Sequence, residues 1–192
     1  FYMLHGGTIE DPIEETIESF EELKKEGLIR AYGISSIRPN VIREYVKSSS
    51  IDGVMMQYSL LDRRPEEEIL DLLHKNDISV LSRGPLAKGM LSNQGGAVLE
   101  RKGENGYLDY RYDELKAIQQ HIAELLDERQ TMNGLALQYV LNHPAVATAV
   151  FGASSSEQVE ENTVVDNSEA LSAETIERLQ TITKLNRYDK HR

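Results

Sequence analysis

Hydrophobic and polar positions follow one another along the chain in a way that predicts short strands separated by helices. Five apolar runs, at 1–4, 29–34, 54–56, 78–81 and 147–151, each end at a polar or glycine-containing corner. The corners hold His5, Ser35, Gln57, Ser82 with Arg83, and Gly152. Apolar residues at helical spacing lie between most of the runs, so the pattern predicts a parallel sheet covered by helices.

The corners are expected to lie together, because the carboxyl ends of parallel strands point the same way. In (β/α) barrels that end carries the active site. The predicted fold class is therefore α/β, a (β/α)8 TIM barrel of which this chain supplies about five βα units and C-terminal helices. A closed barrel typically takes about 250 residues. The chain has 192 and begins without Met inside a predicted strand, so we expect a single domain, 1–192, that is the C-terminal portion of a barrel whose first strands are missing.

Helix signals fill the intervals between the strands. Asp11 and Pro12 are predicted as the N-cap and first residue of a helix that Gly27 ends. Ser156 is predicted as the N-cap of a later helix. Further helices are predicted near 39–48, 66–75, 115–129, 133–141, 156–162 and 173–185. Residues 92–111 lack the strand–helix alternation and predict a long loop, which in a compact domain is typical of a functional lid or of a disordered segment.

Composition narrows the function classes. The net charge of −11 argues against nucleic-acid or anionic-membrane partners, and the absence of Cys excludes disulfide and thiolate chemistry. No apolar stretch approaches the roughly 20 residues of a membrane span. The histidines outside the first corner lack metal-ligand spacing, and they are His74, His121, His143 and His191. We expect a cytoplasmic protein without a metal, monomeric or weakly oligomeric.

Three corners carry side chains that have more than one interpretation. His5 suits a proton donor, a hydrogen-bond donor to a carbonyl oxygen, or a core residue. Gln57 suits recognition of another primary amide, helped by Ser35 and Ser36, or it is an interior glutamine beside a turn-capping serine pair. Tyr58 is either packing or a ring platform for a ligand.

Two loops suit phosphate groups. Residues 85–89 place Lys88 among backbone amides after a strand, an arrangement that can cradle a pyrophosphate or simply turn the chain. Residues 152–158 bring small side chains to a helix N-terminus, which is an anion site or ordinary capping. In barrels the loops after the last two strands frequently form a phosphate site, and these loops would occupy that position.

Taken in chain order, these motifs resemble the aldo-keto reductase superfamily, in particular one of its bacterial branches. The resemblance is carried by Leu4-His5, by the residues of 27–36, 57–61 and 84–89, and by Gly152 to Ser155 with Gln158, Glu161 and Asn162. Family members are (β/α)8 barrels that reduce aldehydes and ketones with NADPH. The resemblance covers the part from the fourth barrel strand to the C-terminus.

The resemblance implies a role for each matching residue. His5 would be the catalytic histidine that orients the substrate carbonyl and stabilises its developing oxyanion. The implied NADP(H)-binding residues are Ser35, Ser36 and Gln57 for the nicotinamide carboxamide, with Tyr58 beside them, Arg83 for stacking on the nicotinamide ring, Gly84, Leu86, Lys88 and Gly89 for the pyrophosphate, and Gly152, Ser154, Ser155, Gln158 and Asn162 for the adenosine end. Where many members place a Lys or Arg against the 2′-phosphate, the nearby residues here are Ser and Gln.

The family's catalytic Tyr, Lys and Asp lie on earlier strands, and no segment of this chain matches them. We therefore expect an intact parent protein to reduce a small-molecule carbonyl substrate and this chain alone to be inactive. Two other interpretations stay open. One is a catalytically silent NADPH-binding regulatory module of the same fold, and the other is an unrelated phosphate-binding barrel isomerase.

Overall fold

One parallel sheet organises the computed structural model, which describes residues 1–128, 130–163 and 170–192. Its strands are β1 (Tyr2–His5), β2 (Tyr32–Ser35), β3 (Gly53–Gln57), β4 (Ser79–Arg83) and β5 (Val146–Val150), paired in chain order. All five predicted strands are confirmed, with ends displaced by one to three residues. A sheet without a reversal of strand order matches the wall of a (β/α) barrel rather than a doubly wound sheet.

The described residues form eight α-helices that alternate with or follow the strands. They are α1 (Ile13–Lys25), α2 (Pro39–Ser48), α3 (Ile69–Lys75), α4 (Gly95–Lys102), α5 (Tyr112–Leu125), α6 (Met132–Leu141), α7 (Ser156–Thr163) and α8 (Ala173–Ile182). Short 3₁₀ turns occupy Arg64–Glu67 and Ala87–Gly89. None of these helices is both long and apolar enough to cross a membrane.

The two faces of the sheet differ because strand side chains alternate in direction. Ile34, Val54 and Val80 lie on the helix-covered face and are fully buried. Their neighbours Ser35 and Met55 occupy the other face and are half-buried. The helix-covered face therefore supplies the core, and the opposite face presents the side chains of the predicted site.

Helix α4 lies inside the segment that the sequence predicts as a loop, so that prediction is wrong over Gly95–Lys102. The helix has one fully buried apolar side chain, Leu99, with Val98 packed partly against the core. A single apolar contact site does not produce the three-to-four-residue repeat on which helix prediction depends. Glycines at its first two positions weaken the signal further.

Two predicted caps also differ from the structure. Asp11 does not cap α1, because its carboxylate accepts the Thr8 N–H at 2.7 Å and closes the preceding loop. Helix α7 begins at Ser156, and it is the Ser155 hydroxyl that accepts the Gln158 N–H at 3.3 Å. The cap therefore lies one residue earlier than predicted. The helix predicted near 66–75 is a 3₁₀ turn followed by α3.

The close approach of β2 and β3 gives a stability prediction. A Cβ added at Gly33 would lie 2.0 Å from the carbonyl oxygen of Gly53, so Gly33→Ala forces the strands apart. We expect a loss of about 1–3 kcal/mol in the free energy of unfolding, measured by urea denaturation. Gly96→Ala is the matched control, since nothing lies within 4 Å of its added Cβ, and we expect a gain of about 0.5–1 kcal/mol. Similar unfolding free energies for the two variants would contradict the packing described.

Candidate functional site

Strand register brings the predicted corner residues to one end of the sheet. His5 pairs with Ser35 across β1 and β2, and Gln57 pairs with Arg83 across β3 and β4. Arg83 in turn pairs with Val150 on β5. His5 is exposed, and within the described part of the chain neither its imidazole nor the Ser35 hydroxyl has a hydrogen-bond partner. Both groups are therefore available to a ligand at this end of the sheet.

Gln57 is held in place by a polar network on both sides of its carboxamide. Its Nε2 donates to Asp62 Oδ2 at 2.7 Å and to the Tyr107 hydroxyl at 3.2 Å, while Arg83 Nη1 donates to its Oε1 at 3.2 Å. Asp62 is fully buried and receives two further bonds of 2.7 Å from the Arg64 guanidinium. The network fixes the orientation of Gln57 and, through it, the guanidinium of Arg83.

Tyr107 occupies the place on Gln57 that an amide ligand would need. Both N–H groups of Gln57 are engaged, so a carboxamide oxygen accepting from Nε2 must replace the longer bond to Tyr107. Burial, with the nearby Asp62 carboxylate, raises the pKa of Tyr107 to about 12. The phenol is therefore neutral at pH 7 and keeps its own proton to donate.

Ser36 and Tyr58 fit the alternatives that do not involve a ligand. The buried Ser36 hydroxyl accepts the Arg38 N–H at 3.1 Å, which is a turn-capping bond. Tyr58 faces the helix side, is buried, and donates its hydroxyl to Glu66 Oε1 at 3.1 Å. Its burial raises its pKa well above the ordinary value. The Tyr58 ring has no exposed face to offer as a platform.

The loop after β4 has an unusual backbone. Ala87 and Lys88 have φ of 46° and 59°, a left-handed conformation that side-chain-bearing residues rarely adopt and that is concentrated at ligand-binding loops. The N–H of Ala87 donates to the Gly84 carbonyl at 3.0 Å, which closes the turn. The Lys88 ammonium lies 5.7 Å from the centre of the Tyr107 ring. Lys88 thus connects the loop after β4 to Tyr107, which is hydrogen-bonded to Gln57.

The turn after β5 is held by its own hydrogen bonds. Gln158 Oε1 accepts from both the N–H and the hydroxyl of Ser154, at 2.8 and 3.2 Å. Asn162 is buried, and its side-chain oxygen accepts from the side-chain amide of Asn133 at the start of α6. The positions of Ser154, Gln158 and Asn162 are therefore set by bonds within the protein.

The two loops line one cavity of about 360 Å³, within the size range of small-molecule pockets. The predicted residues that line it are Gly84, Leu86, Lys88, Gly89, Gly152, Ser154, Gln158 and Asn162. Ser155 and the residues around Gln57 lie outside its lining. Helix α4 adds Arg101 and Lys102, and α7 adds Glu161. A pyrophosphate fits this donor set, because Lys88 and two α4 cations accompany a tight glycine loop.

The sequence interpretation missed Arg101, Lys102, Asp62, Arg64 and Tyr107 as parts of the site. The run Glu-Arg-Lys-Gly at 100–103, with basic residues before a glycine, is a helix C-terminus signal that could have revealed α4. Nothing in the order of residues indicates that Asp62 is buried against Gln57. Among the described residues, no group of three or more His, Asp or Glu side chains is arranged to hold a metal ion.

The sheet and its cavity define a protein of the (β/α) barrel class with a cation-lined cavity at the carboxyl ends of its strands. The chain belongs to the aldo/keto reductase family, whose sequence profile matches residues 1–184. It is 52% identical over 192 residues to the uncharacterized oxidoreductase YqkF of Bacillus subtilis (strain 168), covering 100% of this chain and 62% of that protein. It is 33% identical over 184 residues to the NADH-specific methylglyoxal reductase of Escherichia coli (strain K12), covering 86% of this chain and 53% of that protein.

The structure of aldo-keto reductase AKR11C1 from Bacillus halodurans, apo form, matches this chain with a TM-score of 0.88 and 52% identity, covering 99% of this chain and 64% of that one. A holo form of the same protein matches with a TM-score of 0.87. The predicted barrel class is confirmed by these likenesses. The chain spans less than two thirds of the length of these relatives.

Asp62 gives a prediction about the buried network. Asp62→Asn removes the charge that faces Arg64 and leaves a half-buried guanidinium without its partner. We expect the free energy of unfolding to fall by about 3 kcal/mol, measured by chemical denaturation. The control is Glu174→Gln, which breaks the exposed 2.9 Å pair with Arg178 and is expected to have a far smaller effect. Equal losses of unfolding free energy for the two variants would show that the buried pair stabilises the protein no more than the exposed pair does.

Proposed function

We propose that this chain forms the cofactor-binding part of an NADPH-dependent oxidoreductase that reduces aldehydes or ketones to alcohols. The observation that carries the proposal is the cavity between the loops after β4 and β5, lined by Lys88 and by cations of α4. It lies at the same end of the sheet as His5 and Ser35, whose side chains have no hydrogen-bond partner among the described residues. Aldo/keto reductases bind nicotinamide cofactors, and a holo form of a Bacillus halodurans member is known.

The cofactor would extend from the cavity to the sheet. Lys88 and the loop around it would hold the pyrophosphate, and Ser154 with Asn162 would hold the adenosine end. Ser35 and Gln57 would bind the nicotinamide carboxamide, with Gln57 giving up its bond to Tyr107. The planar Arg83 guanidinium, fixed by Gln57, suits stacking against a flat ring.

When bound, the nicotinamide supplies a hydride to the carbonyl carbon of the substrate. His5 would donate a hydrogen bond to the carbonyl oxygen, which becomes negative as the hydride arrives. We propose that the proton comes from a tyrosine, with a lysine and an aspartate beside it, in a segment before this chain, which would then begin at the fourth barrel strand. On this proposal the chain binds the cofactor and does not reduce carbonyls alone.

A second candidate is a catalytically silent NADPH-binding module of the same fold. It is favoured by the Gln57 carboxamide, whose two N–H groups are already engaged by Asp62 and Tyr107. A module that senses a cofactor needs such an exchangeable contact but no proton donor. The remaining proposals are a small carbonyl substrate, a monomer or weak oligomer, and a cytoplasmic location.

Cofactor binding is tested by titrating the chain with NADPH and following nicotinamide fluorescence. We expect saturable binding that Lys88→Gln weakens about 10-fold, the worth of one charge-assisted contact. Lys116→Gln is the control, because Lys116 is an exposed cation of α5 outside the cavity, and its affinity should match the unchanged chain. Absence of any fluorescence change would exclude the nicotinamide site in this chain.

Catalysis is tested in the full-length protein. We expect His5→Ala to lower kcat with an aldehyde substrate about 100-fold, because the oxyanion loses a hydrogen-bond donor. The dissociation constant of NADPH should change by less than about twofold, since His5 would touch the substrate rather than the phosphates. A full-length protein that binds NADPH yet reduces no member of a broad aldehyde panel would support the silent module.

A further inference from the structure

Asp62 is a buried carboxylate that the proposed reaction does not use directly. Its side chain is fully buried, and the Arg64 guanidinium donates to both of its oxygens at 2.7 Å. The turn after β3 fixes its backbone as well, because Asp62 and Ser59 exchange backbone hydrogen bonds of 2.9 and 3.2 Å. Among the described residues, the one further donor to its carboxylate is Gln57. Asp62 therefore has a fixed position behind Gln57.

Stability alone does not account for this buried ion pair. Burial of two opposite charges costs desolvation energy that largely offsets their attraction, so such a pair adds little net stability. The pair has a directional effect instead. A carboxylate only accepts hydrogen bonds, so Gln57 must turn its Nε2 towards Asp62, and it does so at 2.7 Å.

Arg83 lies at the other end of the same carboxamide, but it follows Gln57 rather than fixing it. A guanidinium only donates, and Arg83 Nη1 donates to Gln57 Oε1 at 3.2 Å. Within the described part of the chain this is the only hydrogen bond of the Arg83 side chain. Asp62 is the member of the network that other bonds hold in place, so it sets the orientation of Gln57.

A fixed orientation decides which ligand group can pair with Gln57. Its remaining capacity is one N–H, now bonded to the Tyr107 hydroxyl at 3.2 Å, and one lone pair on Oε1. A primary carboxamide matches both, since its oxygen accepts from Nε2 while its N–H donates to Oε1. An acetyl group in the same place accepts from Nε2 but has no N–H for Oε1.

We infer that Asp62 is a positioning residue that holds the Gln57 carboxamide in the one orientation that pairs with a primary amide, so that the site selects nicotinamide over the same ring carrying an acetyl group. The inference rests on the proposed function, which places the nicotinamide carboxamide at Gln57. Asp62 touches neither cofactor nor substrate and acts through Gln57. Without this carboxylate, the two orientations of the Gln57 amide become similar in energy and the selection weakens.

The test compares two dinucleotides that differ only at the carboxamide, NADPH and its reduced acetylpyridine analogue, by calorimetric titration of the chain. We expect NADPH to bind about 10-fold more tightly, because the acetyl group leaves Gln57 Oε1 without an N–H. In D62N/R64Q this preference should fall to about threefold or less. Both charges are removed together, so no buried charge loses its partner and the loss of stability is limited. R64K keeps the carboxylate and a cation, and should keep the preference.

The matched control is R63Q/E66Q. It removes another buried ion pair of the same segment, 2.8 Å long, whose hydrogen bonds do not involve Gln57. The preference for NADPH should be the same in this control as in the unchanged chain. Loss of the preference in the control or in R64K, an unchanged preference in D62N/R64Q, or no preference in the unchanged chain would each overturn the inference.

Hydrogen exchange of the Gln57 side-chain amide gives a second readout that needs no cofactor. The Nε2 protons are assigned by NMR from their absence in Gln57→Met. We expect them to exchange at least about 10-fold faster in D62N/R64Q than in the unchanged chain or in R63Q/E66Q. Equal exchange rates would overturn the inference. A chain that binds neither dinucleotide refutes the proposed function, while the exchange rates still decide whether Asp62 holds Gln57.

Discussion

The candidate site depends on β4 lying between β3 and β5 with all three strands parallel. The pairs Gln57–Arg83 and Arg83–Val150 follow from that register. Because the three strands end on the same side, the loops after β4 and β5 emerge next to one another and enclose the cavity. The same register puts Arg83 against the carboxamide of Gln57. One constraint on strand direction thus creates both the cavity and the strand end that carries the Gln57 carboxamide.

Contacts of the segment 92–111 join the cavity to the strand end that carries Gln57. Tyr107 is a buried residue of the core, its hydroxyl accepts a hydrogen bond from Gln57, and the Lys88 ammonium lies over its ring. The segment that contains Tyr107 also contains α4, whose Arg101 and Lys102 line the cavity. A ligand that replaces Tyr107 at Gln57 would therefore act on the same segment that lines the cavity. The two ends of the proposed cofactor site are linked through 92–111.

The strands and the strand-end residues could be predicted from sequence, because alternation of apolar runs with polar corners is a local signal. Alternation also distinguishes Gln57 from the buried Tyr58, since neighbours along a strand face opposite ways. The contribution of α4 could not be predicted in this way, because one buried side chain, Leu99, leaves no periodic pattern. The hydrogen bonds of Asp62 could not be predicted either, because only folding brings its carboxylate to Gln57.

The central claim is that one cavity, between the loops after β4 and β5 and helix α4, holds the phosphate groups of the nicotinamide cofactor. A crystal structure of the chain grown with NADP⁺ tests this most directly. The account predicts pyrophosphate density within about 3 Å of the Lys88 ammonium and adenosine density beside Ser154. Well-defined nucleotide density at any other surface, with this cavity filled by solvent alone, would contradict it.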